Sequence, residues 1–315
     1  MFQLGNTYSA QKDTKNAHIA YKKLFQNFPK SSYTARALLR DGLLFYNDNK
    51  NVKALKNYQE IVAKYPNSSE AREAVNNAKN VYIDLGTVDE YAVWVRGISF
   101  VNITDAELDN TTYESAENKF LANDVPKAIE GFKKYIQAFP KGLHALQANF
   151  YLAQLLVKTN LEEDAIANYQ YVLALPQSEF SEEALNKLSQ ILLKKEQWAI
   201  AIPLLERLEQ EANLTLNIVY AQSNLMKGYY QSQEYKKAVN YAEKILLQDK
   251  IDAIVEYDAK IIIARSAFQT EDYLKAEEFY TEVERNANGE LKAEALYYSA
   301  YFSNKKKLYE VSNKT

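Results

Sequence analysis

Residues 37–66 read ALLRDGLLFYNDNKNVKALKNYQEIVAKYP, and the pattern in this stretch decides the fold. Ala54, Tyr58 and Ile61 stand at i, i+4 and i+7, which is one face of an α-helix. Pro66 follows the alanine by twelve residues and cannot continue that helix, so it stops it. Gly42 precedes the alanine by twelve residues, and the polar run YNDNKN lies between them as a tight turn. The stretch is therefore predicted to be one helix, a turn and a second antiparallel helix. Small residues at Gly42 and Ala54 let the two backbones approach closely.

The same unit runs through the chain. Equivalents of Ala54 are Ala17, Ala92, Ala128, Ala165, Ala201, Ala238 and Ala276, at successive spacings of 37, 38, 36, 37, 36, 37 and 38 residues from Ala17 onward. Four residues after them come Tyr21, Tyr58, Arg96, Phe132, Tyr169, Leu205, Ala242 and Tyr280. Pro29, Pro66 and Pro140 repeat the stop signal, with Pro176 one place early. Twelve residues before each alanine the chain has Gly5, Gly42, Asn80, Ala116, Ala153, Ser189, Met226 and Ala264, mostly small residues. The third unit departs from the pattern, with Asn80, Arg96 and no proline, and is expected to alter local packing. Thr104 and Glu107 after it form a capping-box pattern. Pro203 is expected to kink the second helix of the sixth unit or to delay its start.

With small residue, Ala, aromatic and Pro at these positions, the units resemble the tetratricopeptide repeat. That resemblance implies an all-α fold, a right-handed α-solenoid of antiparallel helix pairs forming a single array over residues 1–315. The repeats fall at about 1–31, 35–68, 69–101 (degenerate), 109–142, 146–178, 182–212, 219–250, 257–288 and 292–315, the last incomplete. Proline–serine linkers such as PKSSYTA look like the repeats of bacterial cell-envelope proteins, the Tol–Pal coordinator and the outer-membrane assembly lipoprotein. The resemblance thus implies a periplasmic or outer-membrane-associated location, with a cytoplasmic one as the alternative. Neither end carries a polar cap of the kind solenoids need. Two readings follow: a segment of a longer array, or self-association through the exposed ends.

Composition narrows the function. The 315 residues are 47% hydrophobic and 25% charged, ordinary for a globular chain and unlike a disordered one. Lys and Arg number 38 against 41 Asp and Glu, and no polybasic run exists to neutralise a phosphate backbone. Nucleic acid is disfavoured as a partner, including RNA held in the manner of the similar pentatricopeptide repeats. No stretch approaches the ~20 apolar residues of a transmembrane segment. With no cysteine and two distant histidines, His18 and His144, the chain offers no metal spacing and no thiolate. Neither GxGxxG, GxxxxGK[ST] nor GxSxG occurs. No catalytic residue, metal or cofactor is expected. Lys194–Lys195 and Lys305–Lys307, at the ends of first helices, are read as complementing the helix dipole.

What remains is the face of the first helices, which in the resembled family lines a concave groove. Carried over residue by residue, the resemblance assigns partner binding to Arg36, Tyr46, Tyr113, Glu117, Phe120, Phe150, Gln154, Asn186, Gln190, Tyr220, Tyr230 and Arg265. Aromatics supply contact area and amides hydrogen-bond a peptide backbone; the alternative for each aromatic is packing between neighbouring first helices. The expected function is a non-catalytic scaffold for protein partners in an envelope assembly. Its alternative is the helical arm of a larger enzyme, such as a cell-wall lytic enzyme, with catalysis outside this chain.

Overall fold

A computed structural model describes residues 1–248 and 250–312 of the chain. Among them stand seventeen α-helices and no strand. The end of the expected ninth repeat, residues 313–315, and the Lys307 side chain lie outside the described residues. The chain forms two compact units, Met1–Leu161 and Glu162–Thr315, so the division falls within the fifth repeat.

In the first unit the helices are α1 Phe2–Ala10, α2 Thr14–Asn27, α3 Thr34–Asn47, α4 Asn51–Lys64, α5 Ser69–Leu85, α6 Val88–Arg96, α7 Asp105–Leu121, α8 Val125–Ala138 and α9 Ala145–Lys158. The second unit has α10 Glu162–Ala174, α11 Ser181–Lys194, α12 Trp198–Glu211, α13 Thr215–Gln231, α14 Tyr235–Leu246, α15 Ala253–Gln269, α16 Tyr273–Asn286 and α17 Gly289–Ser312. In each unit, first and second helices alternate and every helix packs on its chain neighbours, as a helical solenoid of repeats requires.

The repeated alanine sets this spacing. Ala17, Ala54, Ala128, Ala165, Ala201, Ala238 and Ala276 all have no exposed surface. Where first and second helices cross, a methyl group fills the gap. A Cβ built on Gly131 would sit 2.9 Å from the Cβ of Ala116, and one on Gly42 would lie 2.7 Å from the ring of Tyr58. The aromatic four residues after the alanine thus packs against a glycine of the preceding helix in the first two repeats, Tyr21 on Gly5 and Tyr58 on Gly42. Tyr21, Tyr58, Phe132, Tyr169 and Tyr280 are all fully buried.

The turns follow one rule that the sequence pattern does not reveal. Lys12, Asn49, Asn123, Asn160, Glu196, Gln233 and Glu271, each five residues before the repeated alanine, adopt left-handed backbone with φ of 55–62°. Three residues separate the helices at each of these turns, for example 11–13 and 48–50; the third repeat uses two, Gly86 and Thr87, with Gly86 at φ 75°. Linkers from a second helix to the next repeat vary from two residues, 287–288, to eight, 97–104.

The third repeat corrects the sequence register. Ala92 is only half-buried and Arg96 is exposed; Tyr91, Val95 and Ile98 are the buried i, i+4, i+7 set. Tyr91 therefore takes the alanine position, which restores spacings of 37 residues to Ala54 and 37 to Ala128. A tyrosine ring where the other repeats carry a methyl holds α6 off α5, with Tyr82 and Trp94 filling the gap at ring distances of 5.8 and 6.3 Å from Tyr91. α6 is also the shortest second helix, nine residues against fourteen in α4 and α8.

Three further expectations meet the structure. The Thr104–Glu107 capping box forms, with Glu107 N–H donating to Thr104 Oγ1 at 3.2 Å and Thr104 N–H to Glu107 Oε2 at 2.8 Å. Helix α12 starts at Trp198 without delay and carries Pro203 inside it. α17 runs unbroken from Gly289 to Ser312, so the turn expected near Lys305 is absent.

Two stability measurements check this account. Ala128→Leu should overpack the α7–α8 contact and lower stability by about 1–3 kcal/mol in urea unfolding. Glu196→Gly should be neutral or stabilising by up to about 1 kcal/mol, because it relieves left-handed strain of roughly 1–2 kcal/mol at the expense of glycine's roughly 0.5–1 kcal/mol of extra freedom. The same change in the middle of α8, Lys133→Gly, should instead destabilise by about 1 kcal/mol.

Candidate interaction face of the first helices

Five of the residues assigned to partner binding, Arg36, Tyr46, Phe120, Asn186 and Arg265, reach sideways to the next first helix. In the first unit, Arg36 Nε donates to Glu70 Oε1 at 2.7 Å and the Tyr46 hydroxyl to Asp84 Oδ2 at 2.5 Å, tying α3 to α5. Burial, and then the bond to Asp84, push the Tyr46 hydroxyl up to about 12. Burial alone would raise the Glu70 carboxyl, but the Arg36 bond and local donors outweigh it and hold it below its ordinary range. Lys119 Nζ donates to the Asp84 carbonyl at 2.6 Å and Ser115 Oγ to that of Ile83 at 2.8 Å, tying α7 to α5.

Between α7 and α9 the contacts are aromatic. Tyr113 stacks on His144 with ring centres 4.2 Å apart, and Phe120 stacks on Tyr151 at 4.8 Å. Tyr113 donates to Glu117 Oε1 at 3.0 Å. Tyr113 and Phe150 are only 6% and 4% exposed, which makes them packing residues; as surfaces for a partner they are corrected here. Phe120 and Gln154 are half-buried and keep an open edge.

Beneath this layer lies a residue the sequence pattern passed over. Buried Asp109 accepts from the Tyr135 hydroxyl at 2.6 Å and from the Leu143 N–H at 2.8 Å, while His144 N–H donates to the same hydroxyl at 2.9 Å. A Cβ on Gly142 would meet both Asp109 and Tyr135 at 2.5 Å. This clamp fixes the 139–144 linker and sets His144 against Tyr113. The signal in sequence was an acidic residue at a helix position facing a core tyrosine, which periodicity alone does not flag.

The second unit uses amides and charges. Asn186 Nδ2 donates to Asn217 Oδ1 at 3.0 Å, and Gln190 Nε2 to Asn186 Oδ1 at 2.7 Å. Glu182 accepts from Asn213 N–H, Leu214 N–H and Asn217 Nδ2 at 2.7–3.1 Å, capping the start of α13. Tyr220 and Tyr230 are half-buried, and burial raises both hydroxyls. Arg265 grips Glu294 of α17 through two bonds, 2.9 and 2.6 Å. The Arg265 bonds hold the Glu294 carboxyl below its ordinary range against the opposing effect of burial.

Both lysine runs make specific pairs, but only Lys194–Lys195 stands at a helix end; Lys305 and Lys306 lie inside α17, which corrects their reading as dipole complements. Lys194 and Lys195 pair with Glu162 and Glu163 at the start of α10, the first pair at 2.8 Å. Lys305 lies 3.4 Å from the ring centre of Tyr273, and Lys306 pairs with Glu277 at 2.7 Å.

His18 Nδ1 meets buried Asp41 at 2.5 Å, and Asn57 donates to the other Asp41 oxygen at 2.8 Å. This resembles a base and its orienting acid only in outline. His18 stacks on Phe45 at 4.1 Å and its Nε2 is buried without a partner, so the free nitrogen faces no substrate. Among the described residues, no group of three His, Cys, Asp or Glu could hold a metal. No described helix is long and apolar enough to cross a membrane.

Residues 1–31 and 36–68 match the tetratricopeptide repeat family model. The first two repeats are thus similar to tetratricopeptide repeats. The fourth to eighth share their helix pairing, buried alanine and turn geometry. No curated protein matches the chain. Among solved structures, YrrB, a tetratricopeptide repeat protein with an unusual peptide-binding site, aligns over 59% of this chain and 89% of its own, at 18% identity and TM-score 0.43. The tetratricopeptide domain of P58(IPK) covers 99% of this chain and 98% of its own, at 15% identity and TM-score 0.33. A tetratricopeptide repeat protein from Parabacteroides merdae covers 94% and 96%, at 12% identity and TM-score 0.30.

The Arg265–Glu294 pair gives a pH test. A carboxyl whose folded value is depressed contributes stability above its unfolded value, and that contribution is lost as pH falls through the folded value. Thermal unfolding followed by circular dichroism should show Glu294→Gln already weakened at neutral pH. The gap between variant and parent should narrow as the pH is brought down through and below the carboxylate range.

Proposed function

We propose that the chain is a non-catalytic scaffold that binds segments of partner proteins along the first-helix faces of its two units, within a bacterial cell-envelope assembly. Tetratricopeptide repeats generally mediate protein–protein interaction. The observation that carries the reading here is that each unit holds such side chains against their neighbours, Arg36–Glu70 and Phe120–Tyr151 in the first and Asn186–Asn217 in the second. Groups already fixed by the fold lose little conformational freedom when a partner arrives, so more of each contact is left for affinity. Phe120 and Gln154 in the first unit and Gln190 and Tyr230 in the second keep accessible edges and are the binding candidates. The proline–serine linkers after α2 and α4 support the envelope part of the reading.

A photocrosslinking residue placed at Gln154 should capture a protein from native extract, and the captured partner then allows direct binding measurements. Phe120→Ala and Gln190→Ala should each weaken it by about 1–3 kcal/mol, as residues between neutral contacts and strong hot spots do. The exposed outer change Lys133→Glu should alter only salt-sensitive association. Loss of binding in Lys133→Glu with Phe120→Ala and Gln190→Ala unaffected would move the site to the second helices. Recovery of the native protein in the cytoplasmic fraction would remove the envelope assignment.

A further inference from the structure

The displaced second helix of the third repeat leaves a gap. Between α6 and α8 runs a cleft of about 690 Å³, floored by one face of α7. Its α6 wall carries Val88, Ala92 and Arg96, and its α8 wall Lys127, Lys134 and Ala138. The lining on α8 spans residues 127 to 138, about 16 Å at 1.5 Å per residue, or three helical turns. Elsewhere, neighbouring second helices touch: Lys244 of α14 pairs with Glu209 of α12 at 2.7 Å, and Lys275 of α16 with Glu243 of α14 at 2.5 Å. The cleft therefore lies where helix would meet helix, and its long axis follows one.

Chemistry narrows the occupant. Its apolar lining is Leu85, Val88, Ala92, Leu108, Ala138 and Phe139, drawn from the walls and ends as well as the floor, where Thr112 and Ser115 of α7 also stand. Four cations line it, Arg96, Lys119, Lys127 and Lys134, against two carboxylates, Asp89 and Glu130, a balance of +2 in a chain whose net charge is −3. Lys134 pairs with Glu130 at 2.9 Å; Lys127 and Arg96 turn to Asp124 and Asp105, at 3.3 and 3.8 Å, which lie outside the lining. Lys119 donates to a neutral carbonyl. The cations stand toward both ends, Lys119 and Lys127 at the turn side and Arg96 at the linker side. Thr87 Oγ1, on the lining, is buried without a hydrogen-bond partner.

We propose that this cleft is a second interaction site, which takes an amphipathic α-helix of a partner protein, apolar on one face and acidic at both ends. It lies apart from the first-helix face and does not depend on that face binding anything. The partner helix buries its apolar face against Val88 and Ala92 of α6, Leu108 of α7 and Ala138 of α8, and sets carboxylates against Lys119 and Lys127 at one end and Arg96 at the other. A cleft of this volume with an apolar lining and a few placed polar groups is within the range that binds ligands. Placing cations at both ends favours a helix over an amphiphile with a single charged head.

The test uses the whole chain and a fluorescein-labelled, stapled helical peptide of about eleven residues, the length of the trough, with a leucine face and glutamates at both ends. Fluorescence anisotropy should show it binding at least about tenfold tighter than a serine-faced or lysine-ended version, a difference of about 1.4 kcal/mol. Ala138→Trp, at an exposed position, should fill the trough and abolish that preference without changing the helical circular dichroism. Lys127→Glu with Lys134→Glu should shift the preference toward the lysine-ended peptide. Phe120→Ala should leave peptide binding unchanged, which separates this site from the first-helix face. Equal affinity for all three peptides, or binding unaffected by Ala138→Trp, would overturn the proposal. So would displacement of the peptide by dodecanoate, which would assign the cleft to a small amphiphile. Concentration-dependent dimerisation that Ala138→Trp abolishes would assign it to a second copy of the chain.

Discussion

The helix pairs of this molecule depend on close packing at one place in the repeat, where a small residue of the first helix lies directly against the second, as Gly42 does against Tyr58 and Ala116 against Gly131. A methyl group at Ala54 or Ala128, with no surface left exposed, fixes how closely two helices approach. The aromatic four residues later then finds a flat floor, as Tyr58 does over Gly42. Close-packed interiors tolerate little change in volume at such points. Where the rule is broken, the consequence is local and large: Tyr91 in the alanine position displaces α6, and the cleft beside α8 follows from it.

The polar side chains of the first helices are organised by the same repetition. Because each repeat presents the same positions to the next, a residue such as Arg36 or Asn186 meets its counterpart about one period along the chain. Individual surface pairs of this type contribute little, typically below about 1 kcal/mol. Their larger effect is geometric, since they hold rotamers that a partner would otherwise have to order.

The helix pairs were legible in sequence because burial has a period that a single chain repeats eight times. The capping box at Thr104 was legible because two residue types at fixed spacing carry its mechanism. The third repeat was misread by one residue: an alanine, Ala92, stood beside Tyr91, and residue type outweighed the 37-residue period that places Tyr91 correctly. The left-handed turn residues escaped notice because Lys12, Glu196, Gln233 and Glu271 are not types that advertise positive φ, although Asn49, Asn123 and Asn160 are. The face assigned to partners was legible in outline. Which of its members are spent on packing, as Tyr113 and Phe150 are, depends on distances between repeats that no single unit encodes.

The turns and the linkers divide the chain into a constrained edge and a free one. Each turn from first to second helix is closed by one left-handed residue, in a three-residue bridge everywhere but the third repeat, so adding or removing a residue there would rotate the second helix off its packing. Linkers to the following repeat already range from two to eight residues without disturbing that packing. Length variation, grafted loops and appended tags are therefore tolerated along the linker edge of each unit and rejected along the other. A scaffold built this way can gain new loops on one border while its helix spacing stays fixed.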